Sequence, residues 1–188
     1  MRVGRRARRV LVAAALIGLA TPSTRAAAPI RFEFKVPALA GGTLSSQDIK
    51  GKIAVIDVWA TWCGPCRMVI PHLVKLQDKF KDKGVTVIGL NSDEDASSGP
   101  GLESVKRFVR EHDINYPIGL MNSQAYVDLA RVMGFNAEDG FSLPTTIVLG
   151  RNGLVLKRYP GYFHGQEQEL EQLISGLIDS EAEQPKKP

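Results

Sequence analysis

Seven residues from Ile53 to Trp59, IAVIDVW, form an almost continuous apolar run that is short and rich in β-branched side chains. A run of this kind predicts a strand buried on both faces, which places it at the centre of a sheet with helices on either side. One residue interrupts it, Asp57. Just beyond its end stand the two cysteines of the chain, Cys63 and Cys66, with Gly64 and Pro65 between them. A helical periodicity then takes over. Val69, Leu73, Leu76 and Phe80 recur at spacings of three and four and predict a helix from near Cys63 to about Lys83. The cysteine pair therefore stands where a buried strand gives way to a helix.

The rest of the chain alternates in the same way. IRFEFKV puts Phe32, Phe34 and Val36 at the period of a half-buried strand, and VTVIGLN (85–91) reads as a second buried strand. PALAGGTLSSQDIKGK between them is turn-rich, and SDEDASSGPG is a loop. Helices are predicted over LESVKRFVREHDI, over SQAYVDLARVMGF up to Gly134, and over GQEQELEQLISGLI. PTTIVLGRNGLVLKRY reads as two strands joined at Arg151-Asn152-Gly153, because Asn-Gly is a strong hairpin signal. Strands alternating with helices predict an α/β domain over 29–178, with its sheet covered on both faces. Residues 179–188 read as a disordered tail.

The N-terminus belongs to a different class. MRVGRRARR is cationic, Val10–Ala20 is apolar, and small residues follow, a pattern that predicts a secretory signal peptide over 1–28 cut after Ala26 or Ala28. An uncleaved membrane anchor is the alternative, but an apolar stretch of 11 residues is short of the roughly 20 that span a bilayer. The paired arginines also raise twin-arginine export, which the residues after them fit poorly. The expected location is outside the cytoplasm, periplasmic or its equivalent, anchored if the signal stays. This segment also accounts for the net charge of +4. It holds six arginines and no acid up to Ala26, and the remainder has 18 basic against 20 acidic residues, a net of −2. No basic patch is left for a nucleic-acid partner.

The cysteines carry the chemistry. A thiolate at a helix N-terminus is stabilised by unpaired N–H groups and the helix dipole, so Cys63 is expected to be the exposed nucleophile and Cys66, one turn further in, the shielded resolving thiol. A purely structural disulfide over so short a loop stabilises little. Zinc wants four ligands, and the chain adds only His72, His112 and His164, scattered, to the pair. Trp59 reads as core, Trp62 as part of an apolar contact surface beside Cys63, and His72 as a helix-surface residue without a role.

WATWCGPC resembles the active site of the thioredoxin superfamily. LSSQDIKGK, VIGLNSDE, INYPIG and LPTTIVLGRNG extend the resemblance, from about Phe32 to Ile178, to its exported TlpA/ResA-like thiol-disulfide oxidoreductases. The resemblance implies a thioredoxin fold, a central mixed sheet flanked by helices, with an N-terminal extension and a central insertion around Asp93–Leu120. It implies redox catalysis by the Cys63–Cys66 pair with no bound cofactor, disulfide-containing client proteins, and a membrane thiol-electron transporter as reductant. Gly64, Pro65, Trp62 and Leu143 then contact the client. Pro144, by itself an ordinary trans proline opening an edge strand, becomes a cis-proline that presents the Leu143 backbone. Asp57 becomes the base that accepts the Cys66 proton, since burial raises a carboxyl pKa; the competing reading is a structural carboxylate paired with Lys52. The chain departs from its branch at two positions. TlpA/ResA-like proteins usually carry Asn at the position of Asp57 and an acid at that of Val69, and thioredoxin itself has the reverse. The expected activity is reduction of client disulfides by Cys63 attack and Cys66 resolution. The alternatives are an oxidant or isomerase of the same fold, a copper-binding chaperone, which would want a wider Cys spacing and a distal His, and a thiol peroxidase, which would want Thr where Ala60 stands.

Overall fold

The computed structural model of the chain describes residues 29–182. The expected signal peptide and the last residues of the expected tail lie outside that range. Among the described residues, seven strands and four helices follow in the order β1 (Lys35–Pro37), β2 (Thr43–Ser45), β3 (Ile53–Trp59), α1 (Cys66–Phe80), β4 (Val85–Asn91), α2 (Gly99–Glu111), β5 (Ile118–Leu120), α3 (Ser123–Met133), β6 (Thr145–Leu149), β7 (Val155–Pro160) and α4 (Gln166–Ala182). A 3₁₀ turn, Lys81–Lys83, completes α1 before Gly84 adopts the left-handed conformation that releases the chain into β4.

The main sheet runs β5-β4-β3-β6-β7. β3 pairs parallel with β4 and antiparallel with β6, so the sheet is mixed and the IAVIDVW run is its centre. Every residue of β3 and of β4 is buried, which is why neither strand alternates in polarity. The edge strand β7 is largely exposed. The Arg151–Gly153 segment does join β6 to β7, closed by Gly153 N–H donating to Gly150 O at 2.8 Å and with Gly153 at φ 76°.

Side chains of β3 point alternately to two cores. Val55 and Trp59 join α1, α2 and α4 in one, with Val69, Leu73, Phe108, Leu170 and Ile174. Ala54, Ile56 and Val58 join α3 and the N-terminal segment in the other, with Phe32, Phe34, Val36, Leu129 and Val132. The alternation Phe32, Phe34, Val36 is real, but apart from a single bridge between Arg31 and Leu154 its pairing is limited to β1, three residues long, which forms a separate two-stranded sheet with β2. This ribbon packs on β5, where Val36 approaches Gly119 so closely that a Cβ there would meet Val36 Cγ2 at 2.5 Å.

Three expectations are corrected. Helix α1 begins at Cys66 rather than near Cys63, because Ala60–Pro65 forms a turn held by Cys63 N–H donating to Ala60 O. Helix α4 continues to Ala182, past Ile178, where the sequence reading placed the end of the domain. The loop into the central insertion is shorter than SDEDASSGPG suggested, since α2 starts at Gly99.

Candidate active site

Cys63 and Cys66 are joined in a disulfide, with an S–S distance of 2.00 Å and a Cα–Cα distance of 5.4 Å. The turn that follows β3 puts Cys63 three residues before the first residue of α1. The Cys66 backbone N–H, one of the orphan donors of the helix N-terminus, therefore donates to Cys63 Sγ at 3.2 Å. This is the contact that would stabilise a Cys63 thiolate.

Cys63 is not exposed as expected: it is 4% accessible, against 0% for Cys66. Access comes instead through a groove of about 790 Å³ whose floor includes Cys63, Gly64 and Pro65. Trp62, 71% accessible, stands at its edge, and Met121, Phe141 and Leu143 complete an apolar lining, with Asp93 and Glu94 on the rim. All four residues expected to contact a client, Trp62, Gly64, Pro65 and Leu143, thus border one groove. The Leu143–Pro144 peptide bond is cis, as the resemblance implies.

Asp57 lies at the centre of β3 with no accessible surface. It faces Gly89 across the parallel pairing and Thr146 across the antiparallel one. The Thr146 hydroxyl donates to Asp57 Oδ1 at 2.9 Å, while Oδ2 is buried without a partner. Thr146, and not Lys52, is the partner the structure provides. Burial pushes the carboxyl up from 3.8 to about 7, and the Thr146 hydrogen bond only partly opposes that. Asp57 shares its face of the sheet with Trp59 and is therefore turned toward the layer that contains Cys66.

Several site residues lie in the motifs VIGLNSDE and INYPIG or beside the cysteines, but nothing in the sequence signals their roles. Asp93 accepts hydrogen bonds from Thr61 N–H at 3.1 Å and Asn91 Nδ2 at 2.9 Å, and Arg67 donates to Thr61 O at 3.1 Å. Together they fix the turn that presents the disulfide. Tyr116, just before β5, is buried in the same core, where burial and the nearby Asp57 charge raise its phenol well above 10. His72 stays on the surface of α1, as expected, paired with Glu167 at 3.3 Å.

Comparison with known proteins places this geometry. The family model for Redoxin matches residues 24–174. The thiol-disulfide oxidoreductase ResA of Bacillus cereus is 31% identical over 140 residues, covering 74% of this chain and 70% of ResA. The thioredoxin-like protein YneN of Bacillus subtilis is 32% identical over 138 residues, covering 73% of each. Among solved structures, a thiol:disulfide interchange protein of the thioredoxin family from Chlorobium tepidum superposes with a TM-score of 0.66 at 24% identity. It covers 80% of this chain and 95% of that one. StoA from Bacillus subtilis superposes with a TM-score of 0.55 at 20% identity, covering 77% of this chain and 97% of its own. These two structural matches establish the thioredoxin fold, and the sequence matches establish the lineage. The chain belongs to the Redoxin family, among its ResA-like thiol-disulfide oxidoreductases.

Proposed function

We propose that this oxidoreductase works outside the cytoplasm as a reductant of client disulfides. The Cys63 thiolate attacks one sulfur of a client disulfide; the client S–S bond breaks, a Cys63–client bond forms, and the departing client thiolate takes a proton. Asp57, as carboxylate, takes the Cys66 proton. The Cys66 thiolate attacks Cys63 Sγ, the mixed disulfide breaks, and the second client thiolate is released and protonated. Two electrons pass from the dithiol to the client, and the protein ends as the Cys63–Cys66 disulfide. No further cofactor is needed, since the cysteine pair carries both electrons. The groove beside Cys63 receives the client chain, with the backbone at Leu143 and Pro144 available for strand-like hydrogen bonds.

The observation that carries the reducing direction is the modest support given to a Cys63 thiolate. Among the described residues its hydrogen bond is from one backbone N–H. A strong oxidant is one whose reduced form is stabilised. Little stabilisation of the thiolate leaves the disulfide favoured and the dithiol reducing. The N-terminal signal supports export, and regeneration then calls for electrons delivered across the membrane by a thiol-electron transporter.

Equilibration of the Cys63–Cys66 couple against defined thiol–disulfide buffers tests this. A reduction potential near the roughly −270 mV of thioredoxin is expected; one near the roughly −120 mV of the strong periplasmic oxidant would overturn the reducing assignment. Sequencing the N-terminus of the exported protein tests the signal: a start after Ala26 or Ala28 is expected, and a start at Met1 overturns cleavage.

A further inference from the structure

Among the described residues, the buried side-chain atoms without a hydrogen-bond partner include Asp57 Oδ2, Trp59 Nε1 and the Tyr116 hydroxyl. They come from two separate parts of the chain: Asp57 and Trp59 share one face of β3, and the Trp59 and Tyr116 side chains both close over Gly89. Gly89 is the cross-strand partner of Asp57. A Cβ on it would stand 2.5 Å from Ile118 Cδ1, 2.9 Å from Trp59 Nε1 and 3.2 Å from Tyr116 Cε2. That ring carbon is bonded to the one bearing the hydroxyl, so the polar ends of both aromatic residues close over the residue opposite the carboxyl. Glycine at position 89 leaves the space that brings them together; any side chain would push them away. Buried polar groups in native proteins are paired, and a site with several converging polar atoms is where an internal water makes its about three hydrogen bonds.

We propose that Tyr116 is a positioning residue for Asp57, and that its hydroxyl, the Trp59 indole N–H and Asp57 Oδ2 are joined through one buried water. The inference rests on Asp57 acting as the proton acceptor and names what holds it in that role. Thr146 serves Oδ1 from β6, and the Tyr116–Trp59 pair serves Oδ2 from the opposite side. Donors on both oxygens favour the carboxylate, against the burial that disfavours it. The balance keeps the group able to take a proton from Cys66 and give it up again near neutral pH. The groups around this position are Gly89 from β4 and Thr146 from β6, paired with Asp57 across the sheet, with Ile118, Trp59 and Tyr116 closing over Gly89; Cys66 from α1, and Phe108, Leu170 and Ile174 from α2 and α4, belong to the same core. The titratable ones are Tyr116, which stays neutral while Asp57 titrates, and Cys66, which is held in the disulfide. No lysine, arginine or histidine is among the causes of the Asp57 shift within the described residues.

The test follows the Asp57 side-chain carboxyl carbon by NMR as a function of pH, in the oxidised protein and in its Tyr116→Phe variant. Removing the hydroxyl is expected to raise the Asp57 midpoint by about one pH unit, the size of one lost donor to a carboxylate. An unchanged midpoint overturns the proposal, and a merely structural role for Tyr116 would give that result. If Tyr116→Phe does not fold, the wild-type protein decides. A long-lived water showing cross-relaxation to the Trp59 indole proton is expected, and no such water overturns the proposal. The Asp57→Asn variant reads the base role separately. An unchanged rate of mixed-disulfide resolution there removes Asp57 as base and leaves the titration result to stand or fall alone.

Discussion

Strand β3 serves two cores that could hardly differ more. Its residues Ala54, Ile56 and Val58 enter a core of Phe, Val, Leu and Ile side chains with no ionisable group among them. Its residues Val55, Asp57 and Trp59 enter the core that contains the disulfide, a carboxyl pushed up to about 7, and the buried polar ends of Trp59 and Tyr116. The division follows from the period of two along a strand, which sends neighbours to opposite faces. One face can then be packed for stability while the other tolerates the unfavourable burial that a proton acceptor needs.

Three substitutions break or sharpen that contrast. Leu129→Ala, in the apolar core and fully buried, should destabilise the protein by about 2–5 kcal/mol in denaturant titration while leaving the reduction potential unchanged. A shifted potential would mean that the two faces are coupled. Asp57→Asn should do the opposite. The folded-state pKa of Asp57 is raised from 3.8 to about 7, so the folded protein holds this proton more tightly than the unfolded chain. The stability that the neutral acid contributes is full below pH 4 and is lost as pH rises through 7. Asparagine escapes that loss, so the variant should gain up to about 4 kcal/mol at pH 8 and nothing at pH 3.5, while resolution by Cys66 slows at neutral pH. Stability curves against pH check the first part; equal gains at both pH values would remove Asp57 as the titrating group. Trp62→Ala should be smallest in stability, within about 0.5 kcal/mol, because the side chain is mostly solvated. Its effect should appear in client reduction, as slower turnover of a protein disulfide than of a small disulfide; equal rates for wild type and variant on both would take Trp62 out of the contact surface.

Much of the molecule can be read from its residues in order. β3, β4, the four helices and the Asn152-Gly153 turn each carry a local signal, either a period or a turn residue, and each is found where that signal places it to within a few residues. The short strands are different. β2 and β5 have three residues each, too few to show a period, and they are strands because neighbours offer a ladder: β1 for β2, and β4 for β5. The helix boundary at Cys66 is equally a matter of surroundings, since Asp93 and Arg67 hold the preceding turn. The burial of Cys63 belongs here too, for accessibility depends on what lies above a residue and not on its place in the chain.

The sequence alone determined that a buried strand meets a helix at a Cys-Gly-Pro-Cys pair, that an acid interrupts that strand, and so what kind of chemistry the chain performs. These are short-range facts, set by periodicity and spacing. Only the tertiary structure decided what surrounds Asp57. Sheet register sets Gly89 and Thr146 opposite it, and a segment far along the chain brings Tyr116 over Gly89. A carboxyl's affinity for its proton is set by the dielectric and the donors around it, and those are assembled only when distant segments pack together.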